Sequence, residues 1–358
     1  MDFNDSYEMS TSNQWNQGFV SSSSAALRTV LIILAVRRGI AWSLALSGCT
    51  GLVGNILILR VFIKLGFSNS IHICYVALAV SDLVCSLTST YSVLYNQAFR
   101  VFFESFVDDH SHFVNLTGGT ANLAFSRTTA LLTAWISLER CLYVMFPLKA
   151  RTMITSRVTK SVVLIIFLIV PLPAMLIYAG FNIEWTFDPE RNHTVLHLFY
   201  EDNELNALNR FAVLLYGGFY PVFSWVSVTL CTMFLVIKLR QSARWRERNT
   251  GTSNSAGQAG QVDQRAKRNA QTNRVTKTVV TLASLFTVLS LPLSVNIIVT
   301  SAFREYSTSG SLRLVFLLNS LIALFFSQLN SVVNIFVFSA TMPNFRIALL
   351  ELFGKKRM

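Results

Sequence analysis

Long apolar segments separated by shorter polar segments run through most of this chain. Each apolar segment holds about 20 or more residues, the length of α-helix that crosses about 30 Å of hydrocarbon. We therefore expect an all-α membrane protein built as a seven-transmembrane helix bundle. The spans predicted from this pattern are residues 39–64, 71–95, 113–146, 158–180, 208–240, 274–301 and 313–340.

The composition agrees with a membrane protein. Hydrophobic residues make up 52% of the chain and charged residues only 13%, against about 25% charged residues in soluble domains. In a soluble protein the net charge of +12 would suggest a nucleic-acid partner. Here the basic residues flank the apolar spans, so they predict contact with anionic membrane lipids and no nucleic acid.

The distribution of charge predicts how the chain crosses the membrane. Lys and Arg concentrate in the loops after the first, third and fifth spans and in the tail, and acidic residues concentrate on the other side. By the positive-inside rule, the amino terminus lies outside the plasma membrane. The glycosylation sequons at Asn4, Asn115 and Asn192 all fall on that outer side. Arg37 and Arg38, on the outer flank of the first span, run against the trend.

Polar segments divide the chain into three regions. We expect residues 1–38 to form an extracellular tail and residues 39–340 to form the transmembrane domain. Within that domain, the loop at about 242–273 is rich in small polar residues and is expected to be disordered. Residues 341–358 predict a short amphipathic helix on the inner membrane surface, followed by a cytoplasmic tail.

Sequence motifs of enzymes are absent. The chain contains no glycine-rich phosphate loop, no G-x-S-x-G and no H-E-x-x-H, so we predict no catalytic role. No Cys/His spacing suggests a metal site, and no cofactor is expected. All five cysteines lie in or beside apolar spans, so no disulfide framework is expected in the outer loops.

Four polar side chains are predicted to meet inside the membrane. Asp82 lies midway along the second span, Asn55 lies in the first, and Asn330 and Asn334 share one face of the seventh. A buried carboxylate needs hydrogen-bond donors or a cation, and a sodium ion would complete such a site. Two interpretations remain open: a cation-linked switch, or a polar cluster that only joins the helices.

Arg127 is a second candidate site, because a charge at membrane depth is costly. It precedes Arg140 by thirteen residues, which is about 20 Å along a helix. One hypothesis is that Arg127 binds an acidic group of a ligand at the floor of an extracellular pocket, to which Phe286 and Trp185 also contribute. The other is that its partner is internal, such as a backbone carbonyl.

Glu139 and Arg140 close the third span at its inner end. We expect their opposite charges to hold Arg140 in place in the silent protein. Once released, the Arg140 guanidinium can donate hydrogen bonds to carbonyls of a partner. Pro147, in the loop that follows, strengthens the motif, and Pro221 and Pro292 predict hinges in the fifth and sixth spans.

Together these motifs resemble the rhodopsin-like G-protein-coupled receptors over residues 40–353. The residues that carry the resemblance are Gly54-Asn55, Leu78 with Asp82, Glu139-Arg140, Pro147-Leu148-Lys149, Pro221, Phe286, Pro292, Asn330 with Asn334, and Phe345-Arg346. A narrower resemblance, carried by Leu116–Gly119, Phe125–Thr128 and Trp185–Pro189 among others, is to molluscan chemosensory receptors. The family's cysteine bridge between the third helix and the second outer loop has no counterpart in this sequence.

The resemblance implies a cell-surface receptor that couples an extracellular small molecule or peptide to a heterotrimeric G protein, with a chemosensory role. A neuropeptide receptor is the alternative within this class. A ligand-gated channel and a transporter are the alternatives from other classes. A transporter predicts internal repeats or broken helices, and neither is evident in the sequence.

Overall fold

The computed structural model describes residues 4–66, 69–103, 105–189, 191–200, 210–212, 214–249, 259–307 and 310–354. Over these ranges the chain forms long helices, one β-hairpin and a short terminal helix. Each predicted span coincides with a helical segment over its described residues, so the expected membrane bundle of α-helices is confirmed.

We number the long helices one to seven in chain order. Several are composite, because a π turn or a proline interrupts the regular α-helix. Their bounds are Asn4–Leu65 (helix one); Ser70–Leu94, Tyr95–Phe99 and Arg100–Phe103 (two); His110–Val114, Asn115–Gly119 and Thr120–Met145 (three); Ser156–Ile169 and Leu172–Ala179 (four); Leu215–Phe219 and Tyr220–Asn249 (five); Ala259–Ala302 (six); and Arg313–Thr341 (seven).

Three helices extend beyond their predicted spans into polar sequence. Helix five continues to Asn249 and helix six begins at Ala259, so helical turns occupy both ends of the loop at 242–273 that the sequence predicts to be disordered. The centre of that loop, residues 250–258, lies outside the described residues. Helix one likewise begins at Asn4, within the predicted tail. Residues such as Ala, Arg, Lys and Gln continue a helix readily once a membrane helix supplies its nucleus.

Helix three lies inside the bundle. Among the described residues, six helices are long and apolar enough to cross a membrane by length and composition alone, and helix three is not one of them. It carries Arg127, Glu139 and Arg140, all buried, because it packs against helices two, five and six. By contrast, helix five exposes Leu230 and Ile237 on one face, as a lipid-facing surface does.

An aromatic cluster closes the bundle at the end that holds Arg140. Phe62 of helix one, Tyr75 of helix two and Phe338 of helix seven are buried, with ring centroids 5.5, 5.4 and 4.6 Å apart. Phe345, on the terminal helix Pro343–Leu352, packs on both Phe62 and Phe338. The apolar face of this predicted amphipathic helix is therefore anchored to the bundle.

A β-hairpin that the sequence analysis did not predict follows helix four. Strand β1 (Phe181–Asp188) pairs antiparallel with strand β2 (His193–Tyr200), with Trp185 opposite Leu196. The residues of β1 alternate between apolar and polar along most of the strand, and this period-two pattern was the available signal. Asn192 in the turn has a φ of 55°, a conformation that asparagine tolerates better than most residues.

Backbone pairing ties the hairpin to the segment before helix three, where the receptors that the sequence resembles often have a disulfide. The amide of Leu196 donates to the carbonyl of Phe106 at 2.7 Å, and the amide of Asp108 donates to the carbonyl of Leu196 at 3.1 Å. Nδ1 of His197 lies 2.8 Å from a carboxylate oxygen of Asp108. All five cysteines are free thiols, so these contacts order the loop.

Candidate functional site

The carboxylate of Glu139 is completely buried between helices two and three. Its Oε1 accepts hydrogen bonds from Nη2 of Arg140 at 2.7 Å and from Oγ of Ser70 at 2.8 Å. The thiol of Cys74 donates to Oε2 at 3.6 Å. Ser70 and Cys74 lie one turn apart at the start of helix two, so one helix face supplies both donors. The sequence analysis paired Glu139 with Arg140 but missed these two residues.

The Glu139–Arg140 pair is shielded from water, with side chains 0% and 10% exposed. A buried ion pair is stable only where further hydrogen bonds complete it, and Ser70 and Cys74 provide them. The Arg140 guanidinium also lies over the Tyr143 ring, 4.8 Å from its centroid. Among the described residues, Nε of Arg140 has no hydrogen-bond partner. Arg140 is thus held by charge and stacking, yet keeps an unused donor.

The loop after helix three is fixed to that helix. Pro147 begins the short helix Pro147–Met153, where a residue without an amide hydrogen is well tolerated. The hydroxyl of Tyr143 donates to the carbonyl of Ile154 at 3.0 Å, just beyond this short helix. The side chain that lies over Arg140 therefore also positions the loop.

Asp82 lies at the centre of a second, deeper polar cluster and is completely buried. Nδ2 of Asn334 donates to its Oδ2 at 2.6 Å. Oγ1 of Thr129 and Oγ of Ser331 donate to its Oδ1 at 2.9 and 3.1 Å. Helices three and seven therefore both hold the carboxylate of helix two. The sequence predicted Asn334 but missed the two hydroxyl groups.

Asn55 and Asn330 flank this cluster without bonding to Asp82. Nδ2 of Asn55 donates to the backbone carbonyl of Ser331 at 3.2 Å, which ties helix one to a residue that itself contacts Asp82. Asn330 lines a cavity beside Asp82 and, among the described residues, makes no hydrogen bond to it. The four predicted residues thus lie close together, but only Asn334 among the amides reaches the carboxylate.

A cavity of about 580 Å³ lies between Asp82 and the end of the bundle near the hairpin. Helices one, two, three, five, six and seven all contribute to its walls. Arg127 and Phe286, both predicted to belong to a ligand pocket, line it. Trp185 does not: it lies on β1 with 65% of its surface exposed. The prediction placed Trp185 in the pocket because it did not anticipate a hairpin that turns this side chain outward.

Arg127 has an internal partner, a backbone carbonyl. This was one of the two hypotheses for Arg127 in the sequence analysis; the other was an acidic group of a ligand. The residue is 7% exposed, and its Nε donates to the carbonyl of Tyr216 at 2.7 Å. Tyr216 lies in the π turn of helix five, where the amide of Tyr220 donates to the carbonyl of Leu215, five residues back. The next such donor would be Pro221, which has no amide hydrogen. Pro221 therefore leaves the Tyr216 carbonyl free to accept from Arg127.

Pro292 lies inside helix six, which continues on both sides of it. Proline cannot donate to the carbonyl four residues before it, so the backbone ladder is interrupted at this point. The hydroxyl of Ser290 donates to the carbonyl of Phe286 at 2.6 Å, and the hydroxyl of Ser294 donates to the carbonyl of Ser290 at 3.0 Å. This weakened stretch lines the cavity, and the predicted hinge at Pro292 stays a prediction.

The three sequons differ in their surroundings. Asn192 is exposed in the turn of the hairpin. Asn115 lines the cavity within a π turn of helix three, and the hydroxyl of Thr117 in the same sequon is 2.8 Å from that of Tyr91. The side chain of Asn4 lies outside the described residues. Both described asparagines are exposed, but Asn192 lies in a turn and Asn115 within helix three, so Asn192 is the better substrate for a glycosyltransferase.

A scan against protein families identifies the class. The family described as 7 transmembrane receptor (rhodopsin family) matches residues 54–338. This range covers most of the chain and includes both polar clusters and nearly the whole cavity. The chain therefore belongs to the rhodopsin family of seven-transmembrane receptors; it is a receptor, not an enzyme, and a multi-pass membrane protein. No curated protein matches the sequence closely enough to refine this assignment.

Proposed function

We propose that this receptor couples an extracellular ligand to a heterotrimeric G protein and has a chemosensory role. The observation that carries the proposal is the buried Glu139 carboxylate, held at 2.7 Å by Arg140 and at 2.8 Å by Ser70. This arrangement keeps a guanidinium, which can donate to protein carbonyls, bound to its own helix until the helices rearrange. Family membership leaves the channel and the transporter without support.

In this mechanism the ligand favours one of two helix arrangements. Binding in the cavity acts on Phe286, whose carbonyl accepts from Ser290 in the interrupted stretch of helix six before Pro292. Helix six swings outward at its Arg140 end, Glu139 releases Arg140, and the G protein docks against Arg140 and the loop that begins at Pro147. The basic ends of helices five and six complete the docking surface.

The orientation that fits this mechanism places the amino terminus and the hairpin outside. The basic residues beside helices three, five and six then face the cytoplasm, in keeping with the positive-inside rule. Asn192, exposed on the hairpin, would then be glycosylated. Enzymatic removal of N-linked glycans from receptor on intact cells should reduce its apparent mass. An unchanged mass, with Asn192 accessible, would argue against an outer hairpin.

The size of the cavity favours a small molecule as ligand. Small-molecule sites enclose about 300–1,000 Å³, and this cavity measures about 580 Å³. A neuropeptide receptor remains the second candidate because the hairpin exposes Ile183, Trp185 and Phe187, each more than half exposed, and peptides bind such apolar surfaces. The two candidates differ in whether the ligand occupies the cavity or the hairpin.

We also propose that a sodium ion binds beside Asp82 in the silent receptor. Three donors already contact the carboxylate, and the neighbouring side-chain oxygens of Asn330 and Ser331 line the same cavity. Oxygen ligands of this kind suit a hard cation. The alternative is a polar cluster that only joins helices two, three and seven. It does not explain why a cavity lies beside the Asp82 carboxylate.

A ligand screen with a G-protein readout tests the proposed function. Cells expressing the receptor, and matched cells without it, are exposed to amino acids, odorants and amidated peptides while a second messenger is recorded. We expect small molecules to produce a receptor-dependent signal, and Trp185→Ala to leave it unchanged. A signal from peptides alone, lost in Trp185→Ala, would instead identify a neuropeptide receptor.

A further inference from the structure

Two arginines from different helices line the cavity. Arg127 lies deep in helix three, and Arg37 lies on helix one near the hairpin end. In the sequence, Arg37 and Arg38 run against the charge distribution expected of an outer flank. In the structure Arg37 lines the cavity, which accounts for its position on the outer flank; Arg38 does not line the cavity.

Arg127 is only partly satisfied by the protein. It is 7% exposed, and its Nε donates to the carbonyl of Tyr216. Among the described residues, its side chain makes no hydrogen bond besides that of Nε and forms no ion pair with a carboxylate. A carbonyl provides an acceptor but no opposite charge. A buried guanidinium of this kind lacks the anion that normally accompanies it.

The cavity offers no free acid to balance these arginines. Asp82 is the one carboxylate among the described lining residues, and it already accepts hydrogen bonds from Thr129, Ser331 and Asn334. The described lining therefore carries two positive charges and one satisfied negative charge. A cationic amine would have to compete with three hydrogen bonds, and with the proposed sodium ion, for the carboxylate of Asp82, whereas an anion meets two arginines, so the charge of the cavity favours an anion.

The neutral polar groups of the wall leave Arg127 as the strongest available donor. The hydroxyls of Ser126, Ser290 and Ser294 donate to backbone carbonyls of their own helices. The amide of Asn122 donates to the carbonyl of Cys85. These four groups present acceptor lone pairs rather than free hydrogens. The other neutral donors of the wall form weaker hydrogen bonds to a carboxylate than a guanidinium does, so the Nη groups of Arg127 decide which acidic group can bind.

We propose that the ligand of this receptor is a small organic acid whose carboxylate binds the two Nη groups of Arg127. The planar guanidinium fits a carboxylate through two parallel hydrogen bonds. Arg37, exposed at the other end of the cavity, attracts the anion and contacts a second polar group where the ligand has one. This inference rests on the proposed function, since it assigns the ligand class of the same cavity.

Binding to purified full-length receptor tests the inference without a G protein. The probes are butyrate, succinate and glutarate, their uncharged amides butyramide, succinamide and glutaramide, and butylamine. Ligand-dependent increases in Tm give the Kd for each probe. The variants are Arg127→Gln, Arg127→Lys and Arg37→Gln, with Arg38→Gln as the matched control because it removes an adjacent charge that does not line the cavity.

We expect at least one acid to raise Tm at millimolar concentration while its amide does not. Arg127→Gln should raise the Kd of that acid about 10- to 100-fold, and Arg127→Lys should raise it less. Arg37→Gln should raise it about 3- to 10-fold and chiefly at low salt, because an exposed charge is screened. Arg38→Gln should match the wild type.

The inference is overturned if no acid binds, if amides bind as well as acids, or if Arg127→Gln binds the acid like the wild type. If Arg127→Gln does not fold, the Kd values of acid and amide for the wild-type receptor still test whether the cavity selects an anion. Failure of the proposed function has a different signature: Arg127-dependent binding of an acid without nucleotide exchange on any G protein. Exchange driven by butylamine or by amides alone would keep the function and refute the ligand class.

Discussion

Replacing Glu139 by Gln is expected to raise ligand-independent signalling. The Gln side chain keeps the shape and one acceptor of Glu139 but loses the charge that holds Arg140 at 2.7 Å. A hydrogen bond between charged groups contributes about 1.5–3 kcal/mol. Losing the lower figure would raise the ratio of active to silent receptor about tenfold. The measurement is basal second-messenger production at matched surface expression.

Two further variants separate this effect from a general loss of stability. Glu351→Gln, at the same end of the bundle, removes a carboxylate that pairs with Lys64 at 2.7 Å in an exposed bridge, and it should leave basal signalling unchanged. Ser70→Ala removes one donor to Glu139 and should raise basal signalling less than Glu139→Gln. Equal basal signalling in Glu139→Gln and Glu351→Gln would show that the Glu139 charge does not restrain the receptor.

Replacing Asp82 by Ala is expected to lower the thermal stability of the receptor by several degrees. The change leaves the donors of Ser331 and Asn334 without their acceptor in a buried site, while Thr129 keeps a second acceptor, Oγ of Ser81, at 2.9 Å. Each unsatisfied donor costs about 1 kcal/mol or more. Ser331→Ala removes one donor and keeps the carboxylate, so it should lower Tm less than Asp82→Ala does. Tm of the purified receptor, followed by the fluorescence of its free cysteines after labelling, checks this order.

Sodium should raise the Tm of the wild type but not that of Asp82→Ala. We expect a higher Tm in sodium chloride than in choline chloride of equal ionic strength, and no such difference in Asp82→Ala, because a ligand that binds only the folded state stabilises it. A wild-type Tm that is the same in both salts would refute the sodium site. The drop in Tm of Asp82→Ala would then describe a cluster that only joins helices.

The bundle could be predicted from the sequence because its signal is local. Each span is a run of apolar residues long enough to cross a membrane. Polar residues within such a run stand out, because burying a polar or charged group in the membrane costs free energy. Asp82, Asn334, Arg127 and the Glu139–Arg140 pair were all found in this way. Helix three is not among the described helices that length and hydropathy alone mark as membrane spans, although the apolar pattern of residues 113–146 predicted it.

The remaining contacts depend on how the helices pack, which no local pattern specifies. Ser70 and Cys74 reach Glu139 across an interface between two helices, and any hydroxyl or thiol of helix two was an equal candidate. The acceptor for Arg127 exists because Pro221 interrupts the hydrogen bonds of a π turn, a geometry that the sequence does not indicate. From the sequence, Arg37 contradicted the charge distribution expected of an outer flank; the structure shows that it lines the cavity.

The most direct test of the Arg140 switch is nucleotide exchange on purified heterotrimeric G protein by purified receptor. Arg140→Ala is expected to reduce ligand-stimulated exchange at least tenfold, since it removes the guanidinium that we propose the G protein binds. The double variant Glu139→Gln/Arg140→Ala, which leaves no unpaired buried charge, should be equally inactive, although Glu139→Gln alone is expected to be more active than the wild type. Exchange by either Arg140 variant at the wild-type rate would contradict the account.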